Sequence, residues 1–374
     1  MNPSDNLSTT STYVPTLQEA CLIQGGEIVT LLPTDHDFAP IILCSPSSRY
    51  IAEPIAQQLG LPITKLVLKE FRDRERYYRI GLDDRKSLIG RDAILITATA
   101  TDEDLLLLFR VGCELAALGT RRRLFIVPFL GYSTMERSVR PCECVTCASN
   151  IIMMSSIPNT GLGNIFLFLD LHVSSILNYF QETTAFELYG EGVLLRAVES
   201  LNLEPESFMF GSADLGRPSW VQTFANKFNT DLAFIRKVRT MENTKVMNVI
   251  GDVEGKVVII YDDMIRSGGT ICKAADAYLS AGAKAVYALT THLAIPDEDT
   301  IIALNASNIE LILGTNSHPN SMSWYVRECP KIKVFDVSHV FVDHIRRSCI
   351  MSNPKMFLAD TPMIDPTISV ESVQ

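Results

Sequence analysis

From position 41 onward, short and nearly uninterrupted apolar runs alternate with longer amphipathic stretches. Ile41–Cys44 reads as a strand, and 51–59 has helical spacing that stops at Gly60, a residue suited to a helix C-terminus. Positions 66–67 and 77–80 read as sheet. Residues 93–97 form a buried strand, 104–118 a long amphipathic helix ending at Gly119, and 124–129 another buried strand. The rhythm then returns, with a strand at 256–261, a helix at 270–279 closed by Ala281-Gly282, and strands at 285–290, 309–313 and 332–337. Apolar strands alternating with helices predict an α/β fold whose mainly parallel sheets are flanked by helices.

The two stretches also match each other. Gly90-Arg91 followed by AILIT, a loop, a helix, Leu118-Gly119 and LFIVPF parallels Gly255-Lys256 followed by VVIIY, a loop, a helix, Ala281-Gly282 and AVYALT. Such self-similarity predicts duplicated domains. We place them at 38–186 and 187–347, between an irregular extension at 1–37 and a polar tail at 348–374.

Composition narrows the function. A chain of 374 residues suits two domains, and 47% hydrophobic residues can fill two cores. No apolar run reaches the ~18 residues of a membrane span; the stretch 164–173 is too short. The Ser/Thr-rich start lacks the order of a signal peptide, so a cytoplasmic protein is expected. A net charge of −10 argues against a nucleic-acid surface but leaves room for a small polyanion in a local basic pocket. The nine cysteines, odd in number and scattered, suit reduced thiols. Cys142, Cys144 and Cys147 lack a partner pair at finger-like spacing, so they read as small buried side chains before a metal site.

The segment VVIIYDDMIRSGGT carries the most chemistry. A buried strand is expected to end in Asp262 and Asp263, pass through a loop of Met264, Ile265, Arg266, Ser267, Gly268 and Gly269, and enter a helix near Thr270. Ligands of open α/β sheets bind beyond the carboxyl ends of the strands. Glycines let a ligand approach the backbone, and main-chain N–H groups of 267–270 can converge on an anion at the helix N-terminus, with Arg266 adding a full positive charge. The two aspartates suit hydroxyls or a divalent cation. A compound with a phosphate at one end and a vicinal diol at the other fits, as in ribose 5-phosphate.

This loop resembles the one shared by type I phosphoribosyltransferases and ribose-phosphate diphosphokinases, and the rest of the chain is similar to the diphosphokinases. PFLGY at 128–132 resembles the strand leading to that family's ATP segment; FRDRE at 71–75 is similar to its Phe-x-Asp-x-Glu; LDLH at 169–172 matches its Asp-Leu-His. ADLG at 213–216, Lys237-Val238-Arg239, VMNVIGDVEGK before the loop, and TNSHP at 315–319 complete an ordered series between about 41 and 347. The resemblance implies two tandem type I phosphoribosyltransferase-like domains, ATP and ribose 5-phosphate as substrates, Mg²⁺, and a homo-oligomer. It implies catalytic roles for Lys237 and Arg239 in a loop and for His172. Magnesium contacts fall to His172 and Asp214, and adenine contacts to Phe71, Asp73 and Glu75. Where the family shows Arg-Gln-Asp after the Gly-Tyr pair, this chain has Ser133-Thr134-Met135-Glu136-Arg137, which makes Glu136 and Arg137 the ATP-side candidates. Arg266 stands where a third acid is common, a feature that resembles the plant-type, phosphate-independent subgroup. A phosphoribosyltransferase and a catalytically silent regulatory homologue are the competing readings.

Overall fold

The structure is a computed structural model that describes residues 21–24, 27–30, 39–213, 218–239 and 245–349. A small antiparallel hairpin, β1 (Cys21–Gln24) and β2 (Glu27–Thr30), lies inside the extension expected to be irregular.

The N-terminal half runs β3 (Ile41–Cys44), α1 (Arg49–Leu59), β4 (Leu66–Glu70), β5 (Arg76–Ile80), β6 (Asp92–Ile96), α2 (Asp102–Ala117), β7 (Arg122–Val127), α3 (Thr146–Ser155), β8 (Asn164–Leu169) and β9 (Thr184–Leu188). Its sheet is parallel throughout, in the order β3-β6-β7-β8-β9, with β4 and β5 forming a separate hairpin. Every residue of β3 and β6 is buried, as strands covered on both faces require. Gly60 closes α1 in the left-handed region, with φ of 66°. Helix α2 starts earlier than the apolar pattern predicts, because Thr101 caps it by accepting from the Asp104 N–H and three acids fill its first turn.

The C-terminal half runs α4 (Glu191–Glu199), β10 (Phe208–Ser212), α5 (Pro218–Phe228), β11 (Leu232–Arg239), β12 (Lys245–Ile250), β13 (Val257–Ile265), α6 (Gly269–Ser280), β14 (Ala285–Leu293), α7 (Glu298–Ala306), β15 (Ile309–Thr315), α8 (Trp324–Arg327), β16 (Ile332–Phe335) and α9 (Ser338–Cys349). Strands β10, β13, β14, β15 and β16 lie side by side and parallel, repeating the order of the first sheet. In both halves a hairpin interrupts the first and second of these strands; the second hairpin joins its sheet because β11 pairs with β10. The matched segments of the sequence are therefore β6 with β13 and β7 with β14, equivalent places in two equivalent sheets.

The halves exchange helices. Helix α9 follows the last strand of the second sheet, yet Phe341, Val342, Ile345 and Cys349 bury themselves with Ile42, Ile51, Ile94 and Leu124 of the first. Helix α4 follows the last strand of the first sheet, and its Leu194, Ala197 and Val198 pack with Phe208, Phe210 and Phe224 of the second. The division expected between 186 and 187 falls within β9. Among the described residues no helix is long and apolar enough to cross a membrane.

Candidate active site

Strand β13 runs further than the sequence pattern predicts. Asp262 pairs with Thr290, Met264 with His292 and Ile265 with Leu293, so both aspartates belong to the strand and not to the loop. Pairing with β14 extends the ladder past the acids, whereas the pairing with β10 ends at Tyr261. Successive strand residues face opposite ways; Asp262 is half-buried and Asp263 buried.

Beyond Ile265 the chain turns through exposed Arg266 and Ser267 into α6. Gly268 occupies the N-cap position with φ of 70° and no side-chain cap. A Cβ there would lie 2.7 Å from Leu304 Cδ2, so only glycine fits without a shift. Exposed Gly269 and Thr270 open the helix, whose first N–H groups carry the positive end of the dipole. This is an anion cradle in form. The equivalent turn of the first half is closed by its own charge: the Asp104 carboxylate accepts from Ser47 Oγ at 2.6 Å and from Thr101 Oγ1 at 2.9 Å.

Across from β13 stands the end of β8. Asp170 takes a left-handed φ of 40°, and its carboxylate accepts from the Gly190 N–H at 3.1 Å and from Thr291 Oγ1 at 2.6 Å. Its carbonyl lies 3.2 Å from His292 Nε2, and His292 Nδ1 lies 2.7 Å from Ser317 Oγ. Two residues on, His172 Nδ1 lies 2.9 Å from Asp263 Oδ2; the imidazole is 33% exposed and the carboxylate 4%. Phe129 packs its ring edge-on between His292 and His318, with centroids 5.1 and 4.4 Å apart. Burial, reinforced by His292, pushes His318 down to about 3. The segments 128–132, 169–172, 291–292 and 315–319, remote in sequence, thus meet at one seam. Asp170, Thr291 and His292 were not singled out from sequence as site residues; the motif that contains Asp170 and the Thr-His pair ending β14 were the available signals.

Other sequence candidates fall elsewhere. Phe71, Asp73 and Glu75 form the tip of the β4–β5 hairpin. The Phe71 N–H donates to the Glu75 carbonyl at 2.8 Å, the Glu75 N–H donates to Asp73 Oδ1 at 3.2 Å, and the Phe71 ring is 53% exposed. Glu136 is nearly buried, its carbonyl accepting from Tyr179 Oη at 2.6 Å, while Arg137 is 77% exposed with Nε 3.4 Å from the Glu136 carboxylate. The contact between His172 and Asp263 gathers none of these. Lys237 and Arg239, expected in a loop, lie on β11, where their backbones pair with Met247 and Lys245. Ile235 and Val238 on β11, with Val246, Val249 and Ile250 on β12, are β-branched residues that suit strands. Their side chains, and all of Asp214, lie outside the described residues. Cys142 and Cys144 are exposed, contrary to expectation, and Cys147 is buried, its thiol pushed up to about 11 by burial and then by Glu136. Among the described residues no three His, Cys, Asp or Glu side chains group as a metal site.

Fold and site together define an α/β protein of two equivalent parallel sheets, with an uncapped helix start at Gly268 in one half and an Asp104 carboxylate bonded to Ser47 and Thr101 at the matching turn of the other. Residues 41–157 match the N-terminal domain of ribose phosphate pyrophosphokinase, and 222–357 match the phosphoribosyl synthetase-associated domain. The ribose-phosphate pyrophosphokinase of Helicobacter hepaticus is 30% identical over 298 residues, 79% of this chain and 91% of that protein. That of Bradyrhizobium diazoefficiens is 30% identical over 305 residues, 81% and 92% of the two chains. The crystal structure of phosphoribosylpyrophosphate synthetase from Mycobacterium smegmatis shares the fold, with a TM-score of 0.74 at 22% identity over 84% of this chain and 99% of that one. The chain belongs to the ribose-phosphate pyrophosphokinase family.

Proposed function

We propose that this chain transfers the β,γ-diphosphoryl group of ATP to the 1-hydroxyl of ribose 5-phosphate. The sugar oxygen attacks the β-phosphorus, the bond from that phosphorus to the α-phosphate oxygen breaks, and AMP leaves with 5-phosphoribosyl 1-diphosphate formed. Family membership supports the reaction. The observation that carries its placement is the asymmetry of the duplicated turns: one uncapped helix start beside Asp262, one filled by Asp104.

In this reading 264–270 hold the sugar phosphate, with Arg266 adding charge. His172 stands on the ATP side of the seam. Lys237 and Arg239 meet the charge that grows on the transferred and leaving oxygens, where positioning and charge stabilisation do most of the catalytic work. Phe71, Asp73 and Glu75 are proposed for adenine, and Glu136 and Arg137 for the rest of ATP. Mg²⁺ would neutralise the triphosphate, held by the Asp214 carboxylate with His172 beside it, because such an ion would keep several waters and need few protein ligands. Arg266 and the altered 133–137 segment support the plant-type subgroup. The free thiols of the described cysteines and the charged substrates support a cytoplasmic setting, and assembly as a homo-oligomer is part of the same proposal.

Incubation with Mg-ATP and ribose 5-phosphate tests this directly. AMP should appear in equal amount to phosphoribosyl diphosphate. A phosphoribosyltransferase would release no AMP and would consume phosphoribosyl diphosphate only with a base, and a silent homologue would do neither.

A further inference from the structure

We infer that the two acids of β13 divide the work: Asp262 meets the sugar, whereas Asp263 is a positioning residue that, with Thr291, clamps the turn carrying His172. The inference rests on the sugar-phosphate reading of the cradle given above.

Side-chain parity along β13 separates the acids. Val258 and Ile260 share their core with Ile271, Ala274 and Tyr278 of α6, so Asp262 continues the row beside the cradle. Val257, Ile259 and Tyr261 line the opposite core, and Asp263 continues that row. Because Asp262 is in register with Thr290, Asp263 stands beside Thr291 on the same face of neighbouring strands. Those two side chains receive residues two apart in the other half: Asp263 faces His172 at 2.9 Å, and Thr291 donates to Asp170 at 2.6 Å.

The grip matches the backbone it holds. A left-handed aspartate persists only where its surroundings over-determine it. Asp170 is fully buried and is met by Gly190, Thr291 and His292. A buried carboxylate facing Nδ1 also selects the tautomer that carries its proton there, which directs Nε2 to the other side of the ring. One acceptor site of Asp263 is thereby committed to His172.

Ribose 5-phosphate titrations by calorimetry, turnover, and ring ¹⁵N spectra of histidine-labelled enzyme test the division. Asp262→Asn should weaken sugar-phosphate binding by about tenfold or more, as loss of a charge-assisted hydrogen bond does. Asp263→Asn should change that binding by less than about threefold, lower turnover by about 10–100-fold, and move the His172 signals from one tautomer to a mixture. Thr291→Val should also move those signals and lower turnover, and Thr291→Ser should restore both. The clamp is overturned if Asp263→Asn weakens sugar binding as much as Asp262→Asn, or if the His172 signals ignore both Asp263→Asn and Thr291→Val. Should Asp263→Asn fail to fold, the two Thr291 variants decide. Wild-type enzyme that makes no AMP would overturn the proposed reaction, while its His172 spectrum would still decide the clamp.

Discussion

The ring of Phe129 meets the imidazole of His318 edge-on, with planes at 73° and centroids 4.4 Å apart. The end of β7 is thereby pressed against the turn after β15, in the other half. The contact carries a titration consequence. Burial drives His318 from 6.5 down to about 3, so the folded chain keeps it neutral while the unfolded chain protonates it. Its contribution to stability is whole above pH 6.5 and is lost as pH falls toward 3, at no more than about 1.4 kcal/mol per pH unit. Denaturant unfolding followed from pH 7 to 4 should show this loss, and His318→Asn, which retains an acceptor for the Asn320 N–H, should flatten it.

Gly268 tests the cradle. A side chain there faces both a positive φ of 70° and the Leu304 methyl group, so Gly268→Ala should displace the start of α6. The Michaelis constant for ribose 5-phosphate should rise by about tenfold or more, with that for ATP little changed. Arg266→Asp should raise the same constant through charge alone; an unchanged value would remove Arg266 from the phosphate site.

Lys237→Ala should nearly abolish AMP formation while leaving ATP affinity almost intact. Loss of a cation that stabilises a transferring phosphoryl group costs about 10³–10⁵ in rate. Near-normal turnover would end the role proposed for Lys237.

The exchanged helices predict that neither half stands alone. Phe341 is fully buried in the first core, so Phe341→Ala should destabilise by about 3–5 kcal/mol. A fragment ending at 190 lacks the whole apolar face of α9 and should aggregate or remain unfolded. A cooperative thermal transition from that fragment would show that α9 is dispensable.

Much of the architecture was readable from local pattern. The apolar runs at 93–97 and 124–129 and their counterparts at 256–261 and 285–290 are β6, β7, β13 and β14, because a strand buried on both faces must be apolar throughout. The small residues after 266 read as an anion turn because glycine geometry and a helix start are local properties. Strands β9 to β12 went unread: β10 is buried throughout, but Gly211 and Ser212 cut its apolar run to three residues, and polar residues interrupt β9, β11 and β12. The acids were read as the strand's end because a polar pair closes an apolar run, whereas β13 continues through Met264 and Ile265. Only pairing with β14 keeps Asp262 and Asp263 extended.

Residue order alone was enough for two α/β repeats, an anion-gripping turn in the second, and the family to which the motifs belong, because periodicity, turn chemistry and short motifs need only near neighbours. Which sheet α9 covers, which way each aspartate faces, and that Asp170 and His172 lock onto Thr291 and Asp263 emerged only with the assembled chain. Those outcomes depend on surfaces more than a hundred positions apart for α9 and on a ladder register, neither of which any local window contains.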